Sequence, residues 1–469
     1  VDSQPGETEQ RSHPPGSSIT PAPEAVALET VTGSEVVSSL LESSRHPSHA
    51  ESFMKLDDLK KLVQGAAVAV RVRQRLQPAG GPGDKVFPPT YATGDNKLKY
   101  VVEPRRIDGH EAVCVLLDSV ASQANRIEEA LLEAWRRKEL SFPVMGVDFA
   151  SADPALADLG TITALETPHR IADAILRDSL GPDGKTLFRD TPEGQAYTDA
   201  TPRDSTAVFR LCPTALSLGV WDSTGPKGGL GAKFQRTLTS EIVAIHANMG
   251  SKVGSRLDPL AIPSSIEIYH RADDESDWTL DPKEAKIDKG KPALFTRAGG
   301  KGKGKPSSIN HSNIAPTKDD LAGGITFDYA VQTVVLSLPA LRKLRFRTGY
   351  DGKPLPNVET AEAAARTALA ALALAGIVHL REKGYDLRSR CLLIPESAFK
   401  LEVVAPDGSV KEVGLDVPTA NSLLAEAAAA AKAAGLPWER EPLTLKPAPK
   451  LVALVKRGRE LHAAGEDAG

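Results

Sequence analysis

Over residues 66–77 apolar and polar side chains alternate: Val68, Val70, Val72 and Leu76 share one face, and Arg71, Arg73, Arg75 and Gln77 share the other. A period of two marks a half-buried strand, so this segment predicts a strand with an arginine face. The run PAGGPGD that follows is turn chemistry and ends it. Residues 98–106 and 111–119 predict two further strands about the turn-like Asp108-Gly109, a hairpin. The period then lengthens. Val120, Ala124, Ile127, Leu131 and Ala134 fall on one face of a helix expected over 119–138, with Ser119 as its N-cap.

Further along, a helix is expected over 169–180, strands over 207–220, 241–248, 264–270 and 325–338, and helices over 361–383 and 419–434. The last of these carries an alanine run that reads as packed helix. Strands and helices without a regular βαβα alternation predict an α+β fold, an antiparallel sheet with helices on one face. Residues 1–53 show no periodicity and are rich in Ser, Pro and Glu, which predicts a disordered tail, with a partner-binding arm as the functional alternative. Met54 opens the first periodic segment and is a candidate start. The patterned domain is expected over 54–445, with a C-terminal extension over 446–469.

Composition changes this picture little. The chain has 469 residues, 41% hydrophobic and 25% charged, with a formal net charge of −4, which excludes collagen-like and fully disordered classes. The mild acidity sits in the tail: residues 1–53 hold eight acids against Arg11 and Arg45, leaving +2 for the rest. Cys114, Cys212 and Cys391 are far apart without a CxxC pair, so neither a zinc ribbon nor a disulfide framework is expected. The longest apolar run, AAARTALAALALAGIVHL, is interrupted by Arg366 and too short to span a bilayer. A cytoplasmic protein without membrane partners is the expectation.

Several clusters are candidates for polyanion binding. Arg71, Arg73 and Arg75 lie about 6.6 Å apart along one strand face, so three guanidinium groups can track an extended phosphate chain. A solvated sheet face with cross-strand acid partners is the alternative. Arg105 and Arg106 in the hairpin add to the positive side. The helix opening at Ser119 offers unpaired N–H groups beside Ser122, Gln123, Asn125 and Arg126, a candidate phosphate or sugar site or simply a capped helix. The glycine-rich stretch WDSTGPKGGLGAKFQR interleaves two aromatics, with Phe234 the candidate contact, among Lys227, Lys233 and Arg236, the mixture needed to approach a backbone and stack bases. Residues 285–305 carry seven bases against Asp288; Arg297, Lys301, Lys303 and Lys305 are candidate DNA or RNA contacts, or a solvated linker. Asn310, His311 and Asn313 are suited to pairing with bases or to capping a turn.

Enzyme signatures are near misses. GGKGKGKP has P-loop spacing, but Pro306 stands where a magnesium-ligating Ser or Thr belongs, and GPDGKT at 181–186 lacks the first glycine. No HExxH, no G-x-S-x-G and no compact acid cluster occurs. No catalytic residue, metal ligand or cofactor is expected.

The strings RVRQRLQPAGGPGDKVFPPTYA, EPRRIDG, LLDSVASQANRIEEAL, KPSSINHSNIAPT and VVLSLPALRKLRF, in that order, resemble the CRISPR-associated RAMP-superfamily backbone protein of the Cas-seven group from the type I-G (formerly I-U) system. The resemblance runs from about Leu56 to near Leu445. It implies an RRM-like (ferredoxin-like) antiparallel-sheet palm with inserted finger and thumb elements, packed head to tail with further copies along one guide RNA. It also implies target DNA reached through the guide, other CRISPR subunits, and a recruited helicase-nuclease that does the cutting. A backbone ribonuclease, with Asp148 or Asp222 as the candidate acid, is the leading enzyme alternative; an NTP-binding metabolic enzyme is another.

Overall fold

The computed structural model describes residues 53–94, 96–225, 227, 231–296, 303–349 and 352–463. Arg297, Lys301 and nearly all of the 1–53 tail lie outside the described residues.

The expected alternation forms strand β1 (Ala69–Pro78), which buries Val70, Val72, Gln74 and Leu76 and turns Arg71, Arg73 and Arg75 outward. Val68, expected on the buried face, precedes the strand and is 41% exposed. The hairpin is present as β2 (Val102–Ile107) and β3 (His110–Asp118), turning at Asp108 and Gly109, both with positive φ. Two more long strands, β4 (Leu238–Ile245) and β5 (Tyr329–Ser337), lie between β3 and β1. Beyond β1 come β6 (Tyr385–Arg388), β7 (Cys391–Pro395), β8 (Leu401–Val404) and β9 (Val410–Val413). Among the described residues these nine strands form one sheet in the order β6-β7-β1-β5-β4-β3-β2, with β8 pairing β1 and β9 pairing β8. Every pairing in it is antiparallel.

The expected helices are α2 (Val120–Arg136), α3 (Val358–Lys383) and α4 (Val417–Ala433), preceded by α1 (Leu56–Gln64). Each of the three later ones starts on a side chain that accepts from a first-turn N–H: Ser119 from Ser122, Asn357 from Thr360, and Asp416 from Thr419. The α3 helix is apolar on all sides, and by length and composition it is long enough to cross a membrane, but 89% of its most apolar window is buried inside the protein. It is the central core helix. Gly376 lets α2 approach it, since a Cβ there would meet Ile127 Cγ2 at 2.7 Å.

Helices cover one face of the central strands, while the outer strands β2 and β9 bury no residue. Val70, Val72, Val334, Leu336 and Leu238 join the helix residues in the main core. On the opposite face the apolar cluster around Val243 and Ile245 is built of sheet residues only. Taking β1, α2, β4, β5, α3 and β7 in turn gives β-α-β-β-α-β, with the four strands in the spatial order fourth, first, third, second. The chain is thus α+β, with an antiparallel sheet covered by helices on one face.

A belt of polar side chains crosses the buried face. Gln123 Oε1 accepts from Ser240 Oγ (2.7 Å) and Gln332 Nε2 (3.0 Å), and Tyr385 OH donates to Gln332 Oε1 (2.8 Å). Gln74 lies directly opposite Gln332 and accepts from Arg381 at 2.8 Å. Each polar group is satisfied inside the fold, so the belt fixes strand register without leaving an orphan.

Between β4 and β5 an exposed two-stranded ribbon, Lys252–Arg256 with Ile314–Asp319, carries smaller β pairs. Four expectations needed correction. Residues 207–220 fold as two short helices, Thr206–Leu211 and Pro213–Leu218, because Pro213 opens the second and both bury their apolar residues. The segment 169–180 contains only a 3-10 turn, a four-residue helix and two strand residues. Of 264–270 only Tyr269–His270 is strand, and 325–338 divides into Ile325–Thr326 and β5. Near the chain's end, Leu443–Pro447 pairs in parallel with Met145–Asp148, and a helix follows over Pro449–Ala463.

Candidate nucleic-acid interface

The helix-free face presents the arginine row. Arg71 pairs with Glu402 on β8, and Arg75 lies 3.2 Å from Glu396 and 3.8 Å from the centre of the Tyr329 ring. Arg73 is exposed, and among the described residues it has no ionic partner. Opposite them on β5 stand Val335, Thr333 and Val331, and Thr333 faces Glu241 on β4. The row therefore combines a free guanidinium, two surface ion pairs and an aromatic ring. Ion pairs as exposed as these are worth little, about 0–1 kcal/mol, so an incoming phosphate can displace the carboxylates.

Arg105 sits across the sheet between Glu241 (2.8 Å) and Glu103, and those carboxylates hold its proton more tightly than usual. Arg106 is exposed and donates to the Gly109 carbonyl at 2.6 Å. Alternation puts Arg105, tied up by its two carboxylates, on the face of the arginine row and turns Arg106 to the other face of the hairpin, so neither adds a free cation to the row.

The start of α2 is organised inward, around Asp118. This carboxylate has no solvent-exposed area and accepts from Ser122 Oγ (2.7 Å), Gln123 Nε2 (2.6 Å), Arg126 Nε (2.9 Å) and Arg388 (3.3 Å). Ser119 Oγ is occupied as the cap, accepting from Ser122 N at 3.2 Å. Gln123 is completely buried, which corrects the expectation that it contacts a ligand. Only Asn125 points out freely. The groove beside it, about 510 Å³, is lined by Glu129, Glu133 and Glu166 against Arg126 and Arg136, a balance unsuited to a phosphate chain.

In the glycine-rich segment, Val220–Trp221 pairs with Lys233–Phe234. Alternation turns Val220 and Phe234 inward, and Phe234 at 3% exposure cannot stack on a base, a second correction. Trp221 is the exposed aromatic, at 53%. The Lys233 ammonium lies 4.7 Å from its ring centre. Arg236 is exposed, whereas Lys227 pairs with Asp199 at 2.5 Å. Counting strand parity through this hairpin would have selected Trp221 over Phe234 from the letters alone.

Lys303 and Lys305 are exposed. Asn313 Oδ1 caps a turn by accepting from Asp258 N at 2.7 Å, His311 gives its carbonyl to Arg256, and Asn310 closes a 3-10 turn in the left-handed region. Those three serve the backbone of the ribbon. Of the two candidate nuclease acids, Asp222 is buried against Arg189 at 2.8 Å, and Asp148 caps residues 150 and 151, held below the usual carboxylate range by Ser151. Among the described residues no group of three or more His, Cys, Asp or Glu could hold a metal ion.

Residues 70–249 match the family model described as CRISPR-associated protein GSU0053. Among solved structures, the chain is similar to the crystal structure of Thermofilum pendens Csc2, with 12% identity over 88% of this chain and 82% of that one, at a TM-score of 0.25, too low to carry the fold across. No curated protein matches it.

Proposed function

We propose that this chain, whose residues 70–249 match the family model described as CRISPR-associated protein GSU0053, is the guide-RNA-binding backbone subunit of a type I surveillance complex. In this reading it belongs to the Cas-seven group and the I-G subtype. Several copies pack along one guide in the cytoplasm, supporting recognition of foreign double-stranded DNA and leaving cleavage to a recruited helicase-nuclease. The chain itself catalyses no step. The observation that carries the proposal is the helix-free sheet face, where Arg71, Arg73 and Arg75 repeat along β1 with Tyr329 beneath Arg75.

The β-α-β-β-α-β strand order supports an RRM-like palm, a fold whose open sheet face is suited to a single strand. In this reading the exposed ribbon between β4 and β5 serves as the inserted finger element. Three guanidiniums spaced along a strand grip phosphates without reading bases, which suits a subunit that must accept any guide sequence.

Co-expression with a repeat-spacer array tests this. The purified chain is expected to carry short, uniform RNA; protein free of RNA under those conditions would overturn the proposal. Incubating the assembled complex with complementary RNA and a divalent metal tests the non-catalytic part, where periodic cuts in the target would contradict it.

A further inference from the structure

The Val220–Trp221 hairpin is braced by two buried ion pairs, one on each side of the exposed indole. On one side Arg170, 6% exposed, donates to both Glu128 oxygens at 2.7 Å and to the Gly219 carbonyl at 3.0 Å. Burial pushes the Glu128 carboxyl up, to about 7, against the pull of Arg170. On the other side Asp222, immediately after Trp221, is held by Arg189 at 2.8 Å. Gly219 takes a φ of +85°, and a Cβ there would meet Arg236 Cγ at 2.9 Å, so this glycine lets the Arg236 chain lie against the hairpin.

Buried ion pairs are costly to desolvate and are weak contributors to stability, but they fix position. Here both fix the backbone on either side of a tryptophan that is not itself buried. The backbone that carries the indole is therefore fixed while the side chain is 53% exposed, and two exposed cations of the same segment, Lys233 over the ring and Arg236 beside Gly219, have no carboxylate partner among the described residues. An aromatic face beside unpaired cations matches one nucleotide: a base to stack and a phosphate to pair. A protein partner would call for an apolar surround, whereas among the described residues the charged group placed over the Trp221 ring is the Lys233 ammonium. Only Thr237 separates Arg236 from β4, a strand of the sheet that carries the arginine row.

We propose that Trp221, with Lys233 and Arg236, is a preorganised platform that stacks one unpaired base of a single-stranded nucleic acid and holds its phosphate. The inference rests on the guide-RNA reading and adds a fixed contact to it. The full-length chain is titrated with fluorescein-labelled oligouridine as wild type, Trp221→Ala, Trp221→Phe and Lys233→Gln. Trp221→Ala is expected to weaken binding by roughly tenfold with an unchanged salt slope, and Trp221→Phe to stay within about threefold of wild type. Lys233→Gln should make the slope of log K against log salt shallower by about 0.7. With unlabelled oligouridine, intrinsic tryptophan fluorescence should be quenched in wild type and not in Trp221→Phe, a readout of stacking that does not depend on how Trp221→Ala folds. Wild-type affinity in Trp221→Ala together with no Trp221-dependent quenching would overturn the platform and leave the guide-RNA reading standing. If that variant instead loses association with a second copy while binding RNA normally, Trp221 is a protein contact and the platform is overturned. Failure of the wild type to bind oligouridine at low salt would overturn the guide-RNA reading itself.

Discussion

The arginine row on β1 and the arginine cluster at the start of α2 contain the same groups and differ in where their acids lie. Glu402 and Glu396, opposite Arg71 and Arg75, keep 26% and 31% of their side-chain surface exposed, whereas Asp118, between Arg126 and Arg388, keeps none. A carboxylate in contact with water exchanges its partner at little cost. A buried one cannot lose its partners without becoming an isolated charge, so it holds them permanently. The first cluster is therefore available to a phosphate chain and the second is part of the fold.

The largest effect should come from breaking the second cluster. Asp118→Ala leaves two guanidiniums and the Gln123 amide without their common acceptor, and urea unfolding is expected to show a loss of about 3–5 kcal/mol. The triple change Arg71→Gln, Arg73→Gln, Arg75→Gln should do the reverse, keeping the unfolding midpoint near wild type. Its affinity for single-stranded RNA should fall roughly fiftyfold at 0.15 M salt, with a salt slope shallower by about two, as read by anisotropy. Arg126→Gln sharpens the contrast: a stability loss of about 1 kcal/mol with the RNA salt slope unchanged. The smallest effect is expected from Glu402→Gln, which frees Arg71 and should strengthen RNA binding by up to about fourfold while steepening the slope.

This contrast also marks what the sequence could disclose. Strand β1 was legible because its buried side is nearly uniform in chemistry, and α2 because five apolar residues recur at helical spacing above Ser119. The direction in which Gln123 and Arg126 point was not legible, because it depends on Asp118 being sealed by Arg388, about 270 residues away in the chain. The acid partners of the arginine row, Glu396 and Glu402, come from an equally distant return of the chain to the edge of β1. The 207–220 segment misled because a short apolar run has no period that separates a buried strand from a buried helix. In the glycine-rich segment the mixture of bases and aromatics is legible, but which of Trp221 and Phe234 faces outward follows from the pairing of Val220 with Phe234.

The most direct test is ultraviolet crosslinking of the guide-loaded chain followed by mass spectrometry of the RNA-bearing peptides. The account predicts crosslinks in peptides containing Ala69–Pro78, Tyr329 and Trp221, and none within Val120–Arg136. Crosslinks concentrated at the start of that helix, with the sheet face unmarked, would contradict it.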